Sequence, residues 1–212
     1  TRIATAKGLV KVEDLKPGTQ IAAYDGSYKP LRASFKTSLS KARLEKSPKL
    51  RPVRICAGAL GTGLPQKDLL VSRQHRMLVS SPIATRMFGT REVLLSAIKL
   101  TQMPGIHIAE DVEVVEYFHL IFDKHEIIQA EGAATESLFL GGGALALLED
   151  QALEELTALF PELVRSAALL KTARLAPDDR RQKKLVARLS ANNKPVFAPI
   201  KSEPYLNTVQ QT

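Results

Sequence analysis

The chain has 212 residues, of which 44% are hydrophobic and 25% are charged, and this permits one large buried core with a smaller appendage. It contains no window of about 18 uncharged apolar residues and opens without the apolar run of a signal peptide, so neither a membrane span nor a leader is expected. The single cysteine, Cys56, excludes an intrachain disulfide framework and a cysteine-based zinc site, and it leaves open whether the protein is secreted or cytoplasmic.

The net charge of +8 is unevenly distributed along the chain. Residues 1–54 carry 13 basic and 4 acidic side chains, residues 55–143 carry 7 and 10, and residues 144–212 carry 10 and 8. The N-terminal basic residues are spaced singly and show no RNP-like or helix-turn-helix pattern. We therefore interpret them as a solvated basic face and expect no nucleic-acid partner, although this charge keeps nucleic-acid binding as a third function class.

The first part of the chain, to about residue 130, is composed of short β-strands separated by turn residues. The predicted strands are 9–12, 20–24, 52–57, 69–71, 77–79, 92–97, 112–122 and 125–130. A tight turn at Asp123-Lys124 is expected to join the last two strands, and residues 36–50 are expected to be an exposed connection that is partly helical at most.

The spacing of apolar residues changes after Gly141-Gly142-Gly143. These glycines are interpreted as a linker and not as a phosphate-binding loop, because no Lys-Ser/Thr pair follows them. Apolar residues then recur at steps of three and four, which predicts an amphipathic helix over 144–159 and a second helix from Pro161 to about residue 174. A third helix should begin near Pro177-Asp178-Asp179 and bury one apolar face. The predicted organisation is a β domain over 1–140, a helical extension over 144–194 and an irregular tail over 195–212.

Three blocks of sequence carry a resemblance to a known family. The chain opens with T-R-I-A-T-A-K-G, followed at 12–18 by V-E-D-L-K-P-G; residues 70–78 are L-V-S-R-Q-H-R-M-L; residues 115–132 are V-E-Y-F-H-L-I-F-D-K-H-E-I-I-Q-A-E-G. In this order and spacing they resemble a bacterial branch of the Hedgehog/intein (Hint) family, over about residues 1–140. The resemblance implies a mainly β, Hint-type fold, here with a helical C-terminal extension.

The resemblance also implies self-processing, in which a cysteine at the start of the domain attacks the preceding carbonyl in an N-to-S acyl shift. The substrate would then be the chain's own N-terminal flanking polypeptide; the oligomeric state stays open. By the same resemblance, His75 contacts the scissile amide and protonates the departing nitrogen, and Ser72, where the family usually has threonine, holds the distorted peptide. His125, together with His119, is expected to deprotonate the second nucleophile.

Two departures from the family pattern leave an alternative open. No cysteine precedes the opening strand, so either the nucleophile lies before Thr1 or the domain is an inactive scaffold that serves as a protein-interaction domain. Cys56 lies in an alternating strand and is expected to be a small buried residue, not a substitute nucleophile. Inteins end in His-Asn, whereas residues 133–137 are A-A-T-E-S, so cleavage or acyl transfer is expected and splicing is not.

Each histidine also has a purely structural interpretation. His75 fits a hydrogen-bonded residue at a strand end, and His119 shares a strand face with Tyr117 and Ile121, which fits core packing equally well. His125 follows a tight turn and is expected to be the more exposed. The three histidines are separated by 44 and 6 positions, which match no short zinc motif, so no metal and no cofactor are expected.

Overall fold

The computed structural model describes residues 1–138 and 171–198. Within them the mainly β fold class predicted from the sequence is confirmed, with four α-helices. The strands are β1 Arg2–Thr5, β2 Gly8–Lys11, β3 Gln20–Ala22, β4 Tyr28–Pro30, β5 Ala33–Leu39, β6 Val53–Ile55, β7 Leu69–Val71, β8 Arg76–Ser80, β9 Glu92–Ser96, β10 Ile106–Ile108, β11 Val115–Ile121, β12 Ile127–Ala130 and β13 Ala133–Glu136. The helices are α1 Lys41–Lys46, α2 Pro82–Phe88, α3 Ala97–Leu100 and α4 Asp179–Ala191.

The strands form three antiparallel sheets. The main sheet has eight strands in the order β4-β3-β1-β12-β13-β8-β9, with β2 paired to β1. A three-stranded sheet has the order β10-β6-β7, and β11 pairs with β5 in a two-stranded ribbon. In the middle of the main sheet, β12 and β13 form a hairpin whose turn contains Glu131 and Gly132, both with positive φ.

Strands β8 and β9 are buried along nearly their whole length. Residues 77–79 and 93–95 are uninterrupted apolar runs, as expected for strands covered on both faces. The largest fully buried side chains are Ile21, Leu31, Leu44, Ile55, Leu60, Leu69, Met77, Leu78, Leu94, Leu95, Leu100 and Ile121. Apart from Leu44 and Ile121, they belong to one hydrophobic core shared by the main and three-stranded sheets.

The structure corrects two sequence predictions, one about strand pairing and one about where a strand ends. The strands on either side of Asp123-Lys124 do not pair with each other: β11 pairs with β5 along its whole length, and β12 pairs with β13 and β1. Residues 36–39 extend β5 and are not a connection, and Leu39 is buried. The lysine and serine residues of this stretch, which suggested a loop, occupy the outward positions of a strand.

The C-terminal segment 171–198 belongs to the same core. The predicted third helix is confirmed as α4, which Asp178 caps through a hydrogen bond from the Arg181 amide. Its side chains at positions 185, 186 and 189 are fully buried, and α4 contacts α2 and α3. Residues 196 and 197, predicted to be tail, are buried next to β8, and Phe197 forms a parallel bridge with Ser80.

Several other C-terminal predictions lie outside the described residues. They are the glycine linker at 141–143, the helix over 144–159, residues 161–170 of the helix that begins at Pro161, and the tail from residue 199 onward. Residues 171–174, the predicted end of that helix, are described and are not helical. No helix in residues 1–138 or 171–198 is long and apolar enough to cross a membrane.

The N-terminal basic excess is largely matched by acidic residues from the middle of the chain. Six salt bridges in the described residues join a basic side chain of 1–54 to an acidic one of 110–131: Arg2–Glu131, Lys29–Glu126, Arg32–Asp123, Lys36–Glu116, Lys41–Glu113 and Arg54–Asp111. The fold therefore places the two oppositely charged stretches side by side.

Candidate functional site

A group of polar side chains lies in the main sheet where β13 leaves its hairpin. Thr135 of β13 lies opposite Met77 of β8 and Ile128 of β12, so the residues that flank these three strands come together. We call the group the site cluster; it consists of His75, Arg76, His125, Thr135 and Glu136. Sequence analysis singled out only the two histidines of this cluster.

His75 is half-buried immediately before β8. Its Nε2 contacts Thr135 Oγ1, and this hydroxyl also lies 3.2 Å from the Arg76 carbonyl. In the arrangement in which the hydroxyl proton is directed to the Arg76 carbonyl, which can only accept, His75 donates its Nε2–H to Thr135. This arrangement leaves the Nδ1 lone pair of His75 available to accept a proton.

Desolvation lowers the pKa of His75, and this outweighs the opposing effect of the Glu136 carboxylate. The imidazole is therefore neutral at pH 7. A neutral imidazole can first accept a proton and then return it, as a group that shuttles a proton between two atoms must.

Glu136 is a buried carboxylate with three donors around it. Its Oε1 accepts the Arg76 backbone amide at 2.8 Å, and its Oε2 lies 3.2 Å from both Arg76 Nη1 and His125 Nε2. Desolvation alone would raise the pKa of Glu136, but the hydrogen bond from His125, the charge of Arg76 and, when the ring is protonated, the charge of His75 hold it below its usual value. Glu136 is thus ionised despite its burial.

The prediction that His125 is exposed was wrong, because its side chain has no solvent-accessible surface. Its Nε2 faces Glu136, and its Nδ1 accepts the backbone amide of Ala173 at 2.9 Å. A segment 48 residues away in sequence covers the ring, which no local pattern around the Asp123-Lys124 turn indicates.

His119 and Ser72 lie at the margin of the site cluster. His119 is half-buried on β11 opposite Phe35, and its pKa is lowered first by desolvation and then by the charge of His75. The Ser72 carbonyl accepts the His75 amide at 3.1 Å, but the Ser72 hydroxyl makes no hydrogen bond within the described residues. The hydroxyl that contacts the His75 ring belongs to Thr135.

The first residues of the chain are held at the other end of β13. Glu131 accepts three hydrogen bonds from Arg2: one from the backbone amide at 2.6 Å and two from the guanidinium at 3.0 and 2.8 Å. The Arg2 carbonyl in turn accepts the Glu131 amide at 2.9 Å. Thr1 therefore begins beside the β12–β13 turn, and the site cluster lies about one strand length away.

Two more observations concern possible ligands. No group of three or more His, Cys, Asp or Glu side chains within residues 1–138 and 171–198 is arranged to hold a metal ion. Cys56 follows β6 and is half-buried, so the prediction that it lies buried within a strand was wrong. Its backbone amide bonds the Gly105 carbonyl, which ties it to the loop before β10, away from the strands of the site cluster.

The residues that sequence analysis missed are Thr135, Glu136 and Arg76. The stretch A-A-T-E-S stands where inteins have a terminal His-Asn pair, and its own threonine and glutamate belong to the site cluster. No local signal marked them, because threonine is common in strands and a glutamate there is unusual only when it is buried.

The lowered pKa values of His75 and His119 predict that the folded protein loses stability in mild acid. Below about pH 6.5 the unfolded chain binds protons that the folded chain does not, so the free energy of unfolding should fall as pH decreases from that value toward the folded-state pKa values. Urea unfolding at pH 7.5 and pH 5.5 measures the difference.

Two variants assign this acid sensitivity to His75 and His119. The double variant His75→Gln/His119→Gln should lose much of the difference between the two pH values, whereas His107→Gln, which changes an exposed histidine, should keep it. Equal stability of the wild-type protein at both pH values would contradict the prediction.

Comparisons with known proteins agree with the resemblance in the sequence. The family model described as a Hint domain matches residues 1–142. Similar solved structures include the MchDnaB-1 intein (12% identity, 64% of this chain and 95% of that chain, TM-score 0.42) and an intein-like domain from Clostridium thermocellum (13% identity, 64% and 94%, TM-score 0.39). No curated protein sequence matches the chain. Because the family match covers about two thirds of its length, the chain belongs to the Hint domain family.

Proposed function

We propose that this chain is a self-processing Hint domain, which cleaves the bond to the polypeptide before it through an N-to-S acyl shift at a cysteine upstream of Thr1. The proposal is carried by the neutral, desolvated His75, which is held by Thr135 next to the Glu136 carboxylate. Burying such groups costs free energy, and groups with shifted pKa values concentrate at functional sites.

The first step moves one proton from sulfur to nitrogen. The Nδ1 of His75 accepts the thiol proton, and the thiolate attacks the carbonyl carbon of the preceding residue. The C–N bond of the scissile amide then breaks while His75 returns the proton to the departing nitrogen. The products are a thioester and a free amine, and His75 is again neutral.

The strand register sets the length of chain needed upstream of Thr1. Thr1 lies by the β12–β13 turn, so the preceding segment has to reach about 10 Å along β13 and about 14 Å across the three strand spacings between β1 and β8, or about 17 Å in all, to meet His75. Five residues span at most about 17 Å. A cysteine about five residues before Thr1 would therefore reach the Nδ1 of His75.

The other predicted residues have proposed roles around this step. The Ser72 hydroxyl, one turn from His75, would hold the distorted scissile peptide. Release of the thioester needs a base for the second nucleophile, which is water, a thiol, an amine or a hydroxyl. His119 is the better candidate for this base, because both ring nitrogens of His125 are engaged.

The proposal is tested on a fusion of a reporter protein to the full chain, with a cysteine five residues before Thr1. Dithiothreitol attacks thioesters, so we expect it to release the reporter with its C-terminus at the residue before the cysteine, as mass spectrometry would show. Cysteine→Ala at this upstream position is the control and should stay intact. A cysteine-containing fusion that stays intact would instead support the inactive interaction scaffold.

A further inference from the structure

The short segment 171–175, just before α4, is fixed against β9. The Leu175 carbonyl accepts the Leu94 amide at 2.8 Å, and Arg174 Nε donates to Glu92 Oε2 at 2.7 Å. Tyr24 Oη donates to the other oxygen of Glu92 at 2.8 Å. These contacts hold the backbone around Ala173 in place relative to the main sheet.

The Ala173 amide settles the protonation of His125. It donates to His125 Nδ1 at 2.9 Å, and a backbone amide can only donate, so Nδ1 carries a lone pair. A neutral His125 then carries its proton on Nε2, which lies 3.2 Å from Glu136 Oε2. The ring therefore presents a donor to the carboxylate.

The same line of contacts continues to His75. Glu136 accepts the Arg76 backbone amide at 2.8 Å, and Arg76 directly follows His75. An unbroken series of polar contacts thus runs from the C-terminal segment through His125 and Glu136 to the backbone next to His75.

We propose that the backbone amide of Ala173 is a positioning group of the site. It fixes His125 in the tautomer protonated on Nε2, and His125 in turn holds the Glu136 carboxylate beside His75. His125 is then a positioning residue and not a base, and the functional unit extends past residue 142, where the family match ends. The effect on cleavage rests on the proposed function; the tautomer does not.

The tautomer is measured by long-range ¹H–¹⁵N correlation spectra of the full chain labelled with ¹⁵N-histidine. His125 is expected to show a protonated Nε2 and an unprotonated Nδ1 at pH 7.5, with its signals assigned by their loss in His125→Gln. A spectrum in which His125 carries its proton on Nδ1 overturns the proposal.

Ala173→Pro removes the amide proton. Thr172→Pro is the matched control, because it introduces the same ring one residue earlier and leaves the Ala173 amide intact. Ala173→Pro is expected to populate both tautomers of His125, and Thr172→Pro to keep the wild-type spectrum. An unchanged His125 spectrum in folded Ala173→Pro protein overturns the proposal.

A second pair of variants avoids a proline in the backbone and separates positioning from proton transfer. The glutamine of His125→Gln offers one acceptor and one donor but takes up no proton near neutral pH, whereas His125→Leu offers neither. Cleavage by dithiothreitol should stay within about threefold of wild type in His125→Gln and fall by about tenfold or more in His125→Leu. Equal losses in both overturn the positioning role. If the wild-type fusion does not cleave at all, the proposed function fails, and the tautomer measurement alone decides the positioning role.

Discussion

His75→Ala is expected to slow thioester formation by about 10²-fold or more, because a positioned acid–base group contributes roughly 10²–10⁴-fold to a rate. The alanine variant has no group to carry the proton from the thiol to the departing amide nitrogen. The measurement is the rate of reporter release from the fusion at saturating dithiothreitol, which attacks the thioester and bypasses the second step.

Two further variants make the result specific to His75. Ser72→Ala should cost less, about 0.5–1.5 kcal/mol of transition-state stabilisation, because it removes a single hydrogen bond to the peptide. His107→Ala changes an exposed histidine on β10 and should leave the rate unchanged. Release at the wild-type rate from the His75→Ala fusion would remove His75 from the role assigned to it.

Local patterns in the sequence were sufficient for most of the strands and for α4. Apolar runs bounded by turn residues predicted β8 and β9, and the acidic residues at 178 and 179 correctly placed the start of α4. The order of the three sequence blocks gave the fold class, which neither periodicity nor composition could have distinguished from other β folds.

Contacts between distant parts of the chain could not be predicted in this way. The pairing of β11 with β5 joins residues about 80 positions apart, and the local sequence gives no sign of a strand's partner. For the same reason His125 was expected to be exposed: the Ala173 segment that covers it follows much later in the chain. Sequence patterns predict which face of a single strand or helix is buried. Whether a site is buried depends on which elements pack together, and these patterns do not predict that.

The residues of the site cluster were likewise only partly predictable from the sequence. His75 and His125 stood out because histidines are few, whereas Thr135 and Glu136 became visible only once the register of β13 against β8 and β12 was known. Their types are ordinary in a surface strand. Only their burial makes them unusual.

Glu136→Ala is expected to lower the free energy of unfolding by about 2–4 kcal/mol, because it leaves buried donors without an acceptor. The two affected groups are the Arg76 backbone amide and His125 Nε2, whereas the Arg76 guanidinium is partly exposed and can turn to water. Urea unfolding at pH 7 measures the loss. The matched control is Glu116→Ala, which removes an exposed carboxylate paired with Lys36 and should change stability much less than Glu136→Ala does.

The lowered pKa of Glu136 gives this loss a defined pH dependence. Its folded-state pKa lies below the value of about 4.3 for an unfolded glutamate, so its ionised form contributes stability that is complete above that value and is lost as pH falls through the folded pKa. The part of the difference that comes from the Glu136 charge should therefore be complete above about pH 4.3 and shrink as pH falls below that value. If Glu136→Ala were as stable as Glu116→Ala at pH 7, Glu136 would not be the acceptor that these buried donors require, and its assigned place beside His75 would fall with it.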